Sequence, residues 1–224
     1  MVYEITKSKH RIFIETLILT LLVLIIGISI GFYIEFNRAN QVIQDYRSFE
    51  VSALDLKLQN YYYQIMDNTS CQIAIQNNLI FADNIYEKGL LLEKYEQASQ
   101  LSDSNILLTE KQKYVLLKTE LWLNSIILKK KCNSPAHTLV YIYSQNPSKL
   151  KQAEQQAVSE TLKQIKQEKG NNIILIPIAG DINLDSVSMQ LKIYNITYFP
   201  SIIIDEKIII QGFKNKQEIE TYLN

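Results

Sequence analysis

Cys71 and Cys132 are the only residues of this 224-residue chain able to supply a thiolate nucleophile or a disulfide. Thiol exchange needs an accessible thiolate, and a helix start is one place where the helix dipole lowers a thiol's pKa. Two cysteines this far apart leave three states open: a structural bridge, two buried free thiols, or a redox-active pair. A zinc site cannot be assembled. His10 precedes a long apolar run, and His137 near Cys132 falls short of four ligands. No cofactor is expected, since no glycine-rich phosphate loop occurs either. Ser144 and Ser148 carry hydroxyls, but no histidine or other evident base lies nearby in sequence to activate them. Asn68-Thr69-Ser70 and Asn195-Ile196-Thr197 fit the N-glycosylation triplet, which matters only for an exported chain.

The elements that must position these residues begin with a hydrophobic segment. Thr16 to Ile34 contains no charge, and its roughly 19 residues would rise about 28 Å as a helix, close to bilayer thickness. The stretch exceeds a signal-peptide core, and no clear Ala-x-Ala-like site follows it. It is therefore expected to span a lipid bilayer over residues 12–34. Gly27-x-x-x-Gly31 within it matches a small-residue dimer motif, a hint of a homodimer through the membrane helix. Lys7, Lys9 and Arg11 precede the span against Glu4 and Glu15, whereas Arg38 and Arg47 behind it are balanced by Glu35 and Asp45. The positive-inside bias places residues 1–11 in the cytoplasm and the body of the chain outside it. Basic and acidic residues number 23 each, so no overall field points to nucleic acid.

Residues 35–133 contain one glycine, Gly89, before the Ser134-Pro135 boundary. Apolar positions recur at helical spacing, with Phe49, Leu54, Leu56, Leu58 and Ile65 in one run and Tyr114, Leu117, Leu121, Ser125 and Leu128 in another. Turn chemistry at Asp67-Asn68-Thr69-Ser70, and a capping-box spacing at Thr109-x-x-Gln112, divide the region into three helices ending near Met66, Gln97 and Lys131. Lys129, Lys130 and Lys131 then occupy a last turn, where they complement the helix dipole. Cys71 opens the second helix and Cys132 closes the third. In an antiparallel hairpin the two thiols come together, and in an exported chain a bridge is favoured. It would close about 61 residues and contribute roughly 4 kcal/mol in the chain-entropy description.

From residue 137 the texture becomes α/β. Thr138–Tyr143 and the continuous apolar run Ile173–Ile178 read as strands, separated by a polar helical stretch from Pro147 to Lys169 that ends at Gly170. Ser186–Tyr194 reads as a helix, Ser201–Asp205 and Ile208–Gln211 as a hairpin around Glu206-Lys207, and Lys216–Leu223 as a closing helix. This order implies a mixed sheet with helices on both faces. That order, with Tyr198-Phe199-Pro200-Ser201 opening the third strand and the tail from Lys192 to Leu223, resembles the thioredoxin superfamily over His137–Asn224. The resemblance implies a thioredoxin-like domain at 137–224, a cis bond before Pro200, and a groove for an extended peptide. The groove would be lined by Asn146, Pro147, Lys149, Phe199 and Pro200.

The departure from that family lies where its chemistry sits. The family's Cys-Pro-x-Cys or Cys-Gly-x-Cys at the helix start is replaced by Ser144-Gln145-Asn146-Pro147-Ser148-Lys149. Aligning Pro147 puts Asn146 at the nucleophile position and Lys149 at the resolving one. Asn146 and Pro147 suit the cap and first position of a helix, but asparagine cannot attack a disulfide. The expectation is a membrane-anchored, extracytoplasmic, non-catalytic domain that binds or chaperones a protein or peptide partner. The alternatives are an oxidoreductase or redox relay using Cys71 and Cys132, and a structural or assembly protein of the membrane.

Overall fold

The computed structural model describes residues 9–65, 70–98 and 105–223. The chain divides into two units, Met1–Gln44 and Asp45–Asn224. The first helix, α1 (Lys9–Ile65), begins in the former and ends in the latter.

Within the first unit, Arg11–Asn37 contains an 18-residue window of mean hydropathy 2.7, none of it buried, so this helix is long and apolar enough to cross a membrane. Its threonine and serine hydroxyls bond back to the helix. Thr16 donates to the carbonyls of Ile12 and Phe13, Thr20 to those of Thr16 and Leu17, and Ser29 to that of Ile25. That back-bonding is what a hydrocarbon environment requires of polar side chains.

The second unit contains the end of α1, then α2 (Cys71–Ala98) and α3 (Asn105–Cys132). Apolar and small polar residues alternate along the facing sides of α2 and α3, so they interlock by packing and by hydrogen bonds. Asn78 donates to Ser125 Oγ at 3.1 Å and accepts from Asn124 at 3.0 Å, all three buried. Tyr114 Oη donates to the Ile85 carbonyl at 2.8 Å and lies where a Cβ on Gly89 would stand. The single glycine of this region is therefore a close-approach point between helices. Tyr114, Leu117, Leu121, Ser125 and Leu128 form one buried face, as their spacing predicts.

The helices depart from the sequence pattern at α3 and α1. Helix α3 starts at Asn105, so Thr109 lies inside it rather than at its start. Each residue added to a formed helix gains a hydrogen bond, so a capping box inside a continuing Leu-rich run yields to propagation. The α1 run is not one face: Leu56 is 1% exposed whereas Leu54, Leu58 and Ile65 are 60%, 66% and 84% exposed. At 100° per residue, position 56 lies opposite the others. Turn residues Asp67, Asn68 and Thr69 lie outside the described residues.

Lys131 Nζ donates to the carbonyls of Tyr63 and Gln64 at 2.7 and 3.2 Å, capping the end of α1 rather than its own helix. Lys129 reaches the Ala136 carbonyl at 3.0 Å. These contacts give two of the three lysines a local structural use.

The sheet follows, with β1 (His137–Tyr143), α4 (Lys149–Lys169), β2 (Ile173–Ala179), α5 (Asp185–Ile193), β3 (Ser201–Ile204), β4 (Ile208–Gln211) and α6 (Lys216–Glu220). Strand order is β2-β1-β3-β4; β1 and β2 are parallel and the other pairs antiparallel. This is a mixed sheet, and β2 at its edge is where Pro177 is tolerated. Alternation sends Leu139, Tyr141, Leu175, Ile202 and Ile204 to a face covered by Val158, Leu162 and Ile165 of α4 and Ile219 of α6. The opposite face presents Ile142, Ile178 and Ile203 to Trp122 of α3 and Val187 and Leu191 of α5. The helical hairpin thus supplies part of the sheet's own cover. Lys166, buried in α4, ties α2 to the same region through Asp83 at 2.6 Å and the Ile173 carbonyl at 2.9 Å.

The strands and helices of this half stand within about two residues of their expected bounds, save that α6 ends at Glu220, three residues early. The hairpin turn is centred on Asp205-Glu206, one residue earlier than expected. Both have positive φ, 49° and 59°, and the Lys207 amide bonds the Ile204 carbonyl at 3.1 Å within the three-residue loop between paired Ile204 and Ile208. Asp205 accepts from the Thr138 amide at 3.0 Å and pairs with His137 Nδ1 at 2.5 Å, while Glu206 accepts from Trp122 Nε1 at 2.9 Å. Those contacts hold non-glycine residues in a region they rarely occupy.

Candidate functional site

Of the five groove residues expected from the sequence, Asn146, Pro147, Phe199 and Pro200 lie on two loops at one end of the sheet and Lys149 opens α4. Ser201, the first residue of β3, pairs with Ile142 near the end of β1. The register therefore brings the loop leading into β3 beside the loop leaving β1. The Phe199–Pro200 bond is cis. Pro200 is buried, and its carbonyl accepts from the Gly212 amide at 2.8 Å. Phe199 is half-buried, its ring filling the space beside Gly180. A Cβ added there would lie 2.7 Å from Phe199 Cε1 and 2.9 Å from Ile142 Cγ2, besides overlapping Phe199 Cζ. Gly180 is thus small because Phe199 needs its room.

On the other loop, Asn146 and Lys149 are exposed and Pro147 is half-buried. The helix does not start at Asn146. Ser148 is the N-cap of α4, with extended φ and ψ of −62° and 159° and no side-chain capping bond, and Lys149 is the first helical residue. Proline disfavours helical geometry in the residue before it, so Asn146 stays outside the helix. Asn146 and Pro147 are thus loop residues, not cap and first turn.

Sequence reasoning missed the side chains that hold these loops. Asp181 accepts from Ser144 Oγ at 2.6 Å and from the Gln145 amide at 2.7 Å. Buried Gln155 accepts from the Ser144 amide at 2.7 Å and donates to the Ser144 carbonyl at 3.1 Å. The Ser144 hydroxyl therefore has a carboxylate partner rather than an imidazole. Lys151, one turn into α4, joins the two loops. Its ammonium donates to the Phe199 carbonyl at 3.0 Å and sits 3.0 Å from the Tyr198 ring centroid, a cation–π contact. Tyr198 Oη donates to Glu154 at 2.8 Å. Only the i, i+3 spacing of Lys151 and Glu154 on a helix hints at such a pair, and nothing local in sequence names Tyr198 as its target.

Around this tie three large apolar side chains meet solvent alongside Asn146 and Lys149. Leu150 is 82% exposed, Phe213 51% and Tyr198 40%. The arrangement offers a fixed rim of amide, aliphatic and aromatic groups around a buried proline. Such a rim can bind, but it holds no thiol, and among the described residues no cluster of His, Cys, Asp or Glu could hold a metal ion.

The two cysteines form a disulfide, with Cα atoms 5.3 Å apart across the open end of the α2–α3 hairpin. Each is half-buried, and Cys132 packs against Tyr63, Ala74 and Leu128.

No protein-family model matches the chain, and no curated protein matches it. Among solved structures it is similar to a chloroplastic thioredoxin z whose crystal structure was described as defining a type-specific target recognition. Identity is 14%, the match covers 44% of this chain and 85% of that one, and the TM-score is 0.34.

Proposed function

We propose that the unit following the apolar helix is a thioredoxin-like, non-catalytic binding domain, tethered to a membrane and facing the extracytoplasmic side. Its ligand is an extended segment of a protein or peptide, taken across Asn146, Pro147, Phe199 and Pro200 on the two loops and Lys149 at the start of α4. The observation that carries this reading is the Lys151 tie. It fixes the first turn of α4 to the loop before Pro200, so that Leu150, Tyr198 and Phe213 are presented by rigid backbone without any reactive group. Preorganised apolar and aromatic side chains bind at low entropic cost, and an exposed loop backbone can pair with an incoming strand. The order of strands and helices, the cis bond and the mixed sheet support the fold assignment.

The test uses the full chain in membrane vesicles. Photoreactive side chains at Asn146, Leu150 or Phe213 are expected to capture added extended peptides. A probe at Lys163, midway along α4, should not. Tyr198→Ala should weaken capture by about tenfold, the cost of one aromatic anchor. Equal labelling from all positions would refute the groove. Disulfide reductase or oxidase turnover that disappears in Cys71→Ser and Cys132→Ser forms would refute the non-catalytic reading.

A further inference from the structure

The end of α1 has two apolar faces, and the second unit uses only one of them. Leu56, Asn60 and Tyr63 are buried, with Asn60 bonded to Glu120 at 3.2 Å and Tyr63 packed on Ala74 and Leu128. On the opposite side Val51, Leu54, Leu58, Tyr61 and Ile65 are 72%, 60%, 66%, 52% and 84% exposed. Their spacing is three, four, three, four. That is an unbroken a/d seam over two heptads, narrower than the three-per-heptad stripe of a helix that packs on a broad core.

We infer that this seam pairs with the same seam of a second copy of the chain, as a short parallel coiled coil. The occupant follows from the pattern and from the tether. An a/d seam is self-complementary when two identical helices lie parallel and in register. The reading that the apolar helix spans a membrane, on which this inference rests, gives every copy the same orientation and depth. The same residues therefore meet at the same level. The area sets the strength. Five side chains at these exposures offer roughly 600 Å² per copy, short of the about 800 Å² of a standard interface. The seam is thus too small to hold free copies together, and it depends on the effective concentration that confinement to one membrane provides. No contact between membrane helices is required for this.

The experiment is single-cysteine cross-linking in the full chain, in vesicles. Both native cysteines are bridged, so an introduced one is the free thiol. Cysteines replacing Val51, Leu54, Leu58, Tyr61 or Ile65 should give covalent dimers under mild oxidation. Yields should exceed those at Asp55 and Gln59 by about fivefold or more, reproducing the heptad period. Leu54→Glu with Leu58→Glu should abolish cross-linking at Tyr61→Cys without changing Trp122 fluorescence. A flat profile, maxima at Asp55 or Gln59, or adducts of another mass at seam positions would overturn the inference. Washing the vesicles with alkaline carbonate separates the two readings. Protein that stays with the membrane but shows a flat profile refutes the seam alone, whereas protein that washes off refutes the span.

Discussion

Opening the Cys71–Cys132 bridge tests how the helical hairpin is stabilised. The bridge spans 61 residues of sequence. In the chain-entropy description a loop of that size adds about 4 kcal/mol by restricting the unfolded chain. Few native contacts should be lost, because the Asn78, Asn124 and Ser125 bonds between α2 and α3 do not involve the sulfurs. With a urea slope of about 2 kcal/mol/M, the midpoint should fall by about 2 M while the slope changes little. The perturbation is Cys71→Ser with Cys132→Ser, compared with wild type under reductant, in the full chain in detergent. Trp122 is the chain's only tryptophan and is 1% exposed in the core between α3 and the sheet, so its fluorescence reports unfolding of the unit. Agreement between the serine form and the reduced wild type would isolate the covalent link. A midpoint shift below about 0.5 M in both would refute the reasoning, since it would mean that the unfolded chain was never appreciably constrained.

Three further outcomes follow from the site and its surroundings. Gly180→Ala should cost about 1–3 kcal/mol in thermal melts by overpacking against Phe199 and Ile142, and Phe199→Leu in the same chain should recover part of it. Asp181→Ala should cost about 1 kcal/mol and speed amide exchange at Gln145, whose N–H loses its acceptor; unchanged exchange there would contradict the loop geometry. Burial raises the Glu206 carboxyl above its ordinary 4.5, opposed by the Trp122 bond and reinforced by Asp205. The folded state therefore holds that proton more tightly than the unfolded chain, and stability present below the unfolded pKa is lost as pH rises through the folded one. Glu206→Gln should remove that loss, gaining on wild type in urea midpoints as pH rises above the ordinary 4.5, and parallel curves would exclude it.

What could be read beforehand was periodic and local. The uncharged run, the three helices, the β-branched strands and the position of Pro200 all announce themselves within a few residues. The pairing of Cys71 with Cys132 was favoured by helix-hairpin geometry, although free and redox-active thiols fitted the same spacing. The failures lie where a local signal competes with its surroundings. Thr109 has the spacing of a capping box and is overruled by the helix around it. Leu54 and Leu56 look alike in sequence and face opposite ways. Lys151 and Asp181 carry the loop geometry through partners 36 to 48 residues away and Gly180 through Phe199 in a different loop, which no window of sequence reveals. Trp122 belongs to the same class, since its partners Glu206 and Tyr194 come from the far end of the chain.

Trp122 also decides how this surface can be studied. A fragment starting at His137 keeps every strand but loses α3. With it go the Trp122 stack on Tyr194, at 5.3 Å between centroids, and the cover over Ile142, Ile178 and Ile203. The Trp122 bond to Glu206 and the Lys129 bond to the Ala136 carbonyl are lost as well. Burying one tryptophan removes about 200 Å² from water, worth roughly 5 kcal/mol at 25 cal/mol/Å². That is comparable to the whole stability of many domains of about this size. The fragment should keep far-UV ellipticity, bind a hydrophobic dye and melt without a cooperative transition. A sharp transition near that of the full chain would show that α3 is dispensable to the sheet. Failing that, the loops around Pro200 can be tested for binding only with α3 present, because Ile142, which packs beside Gly180 where Phe199 also lies, belongs to the face that α3 covers.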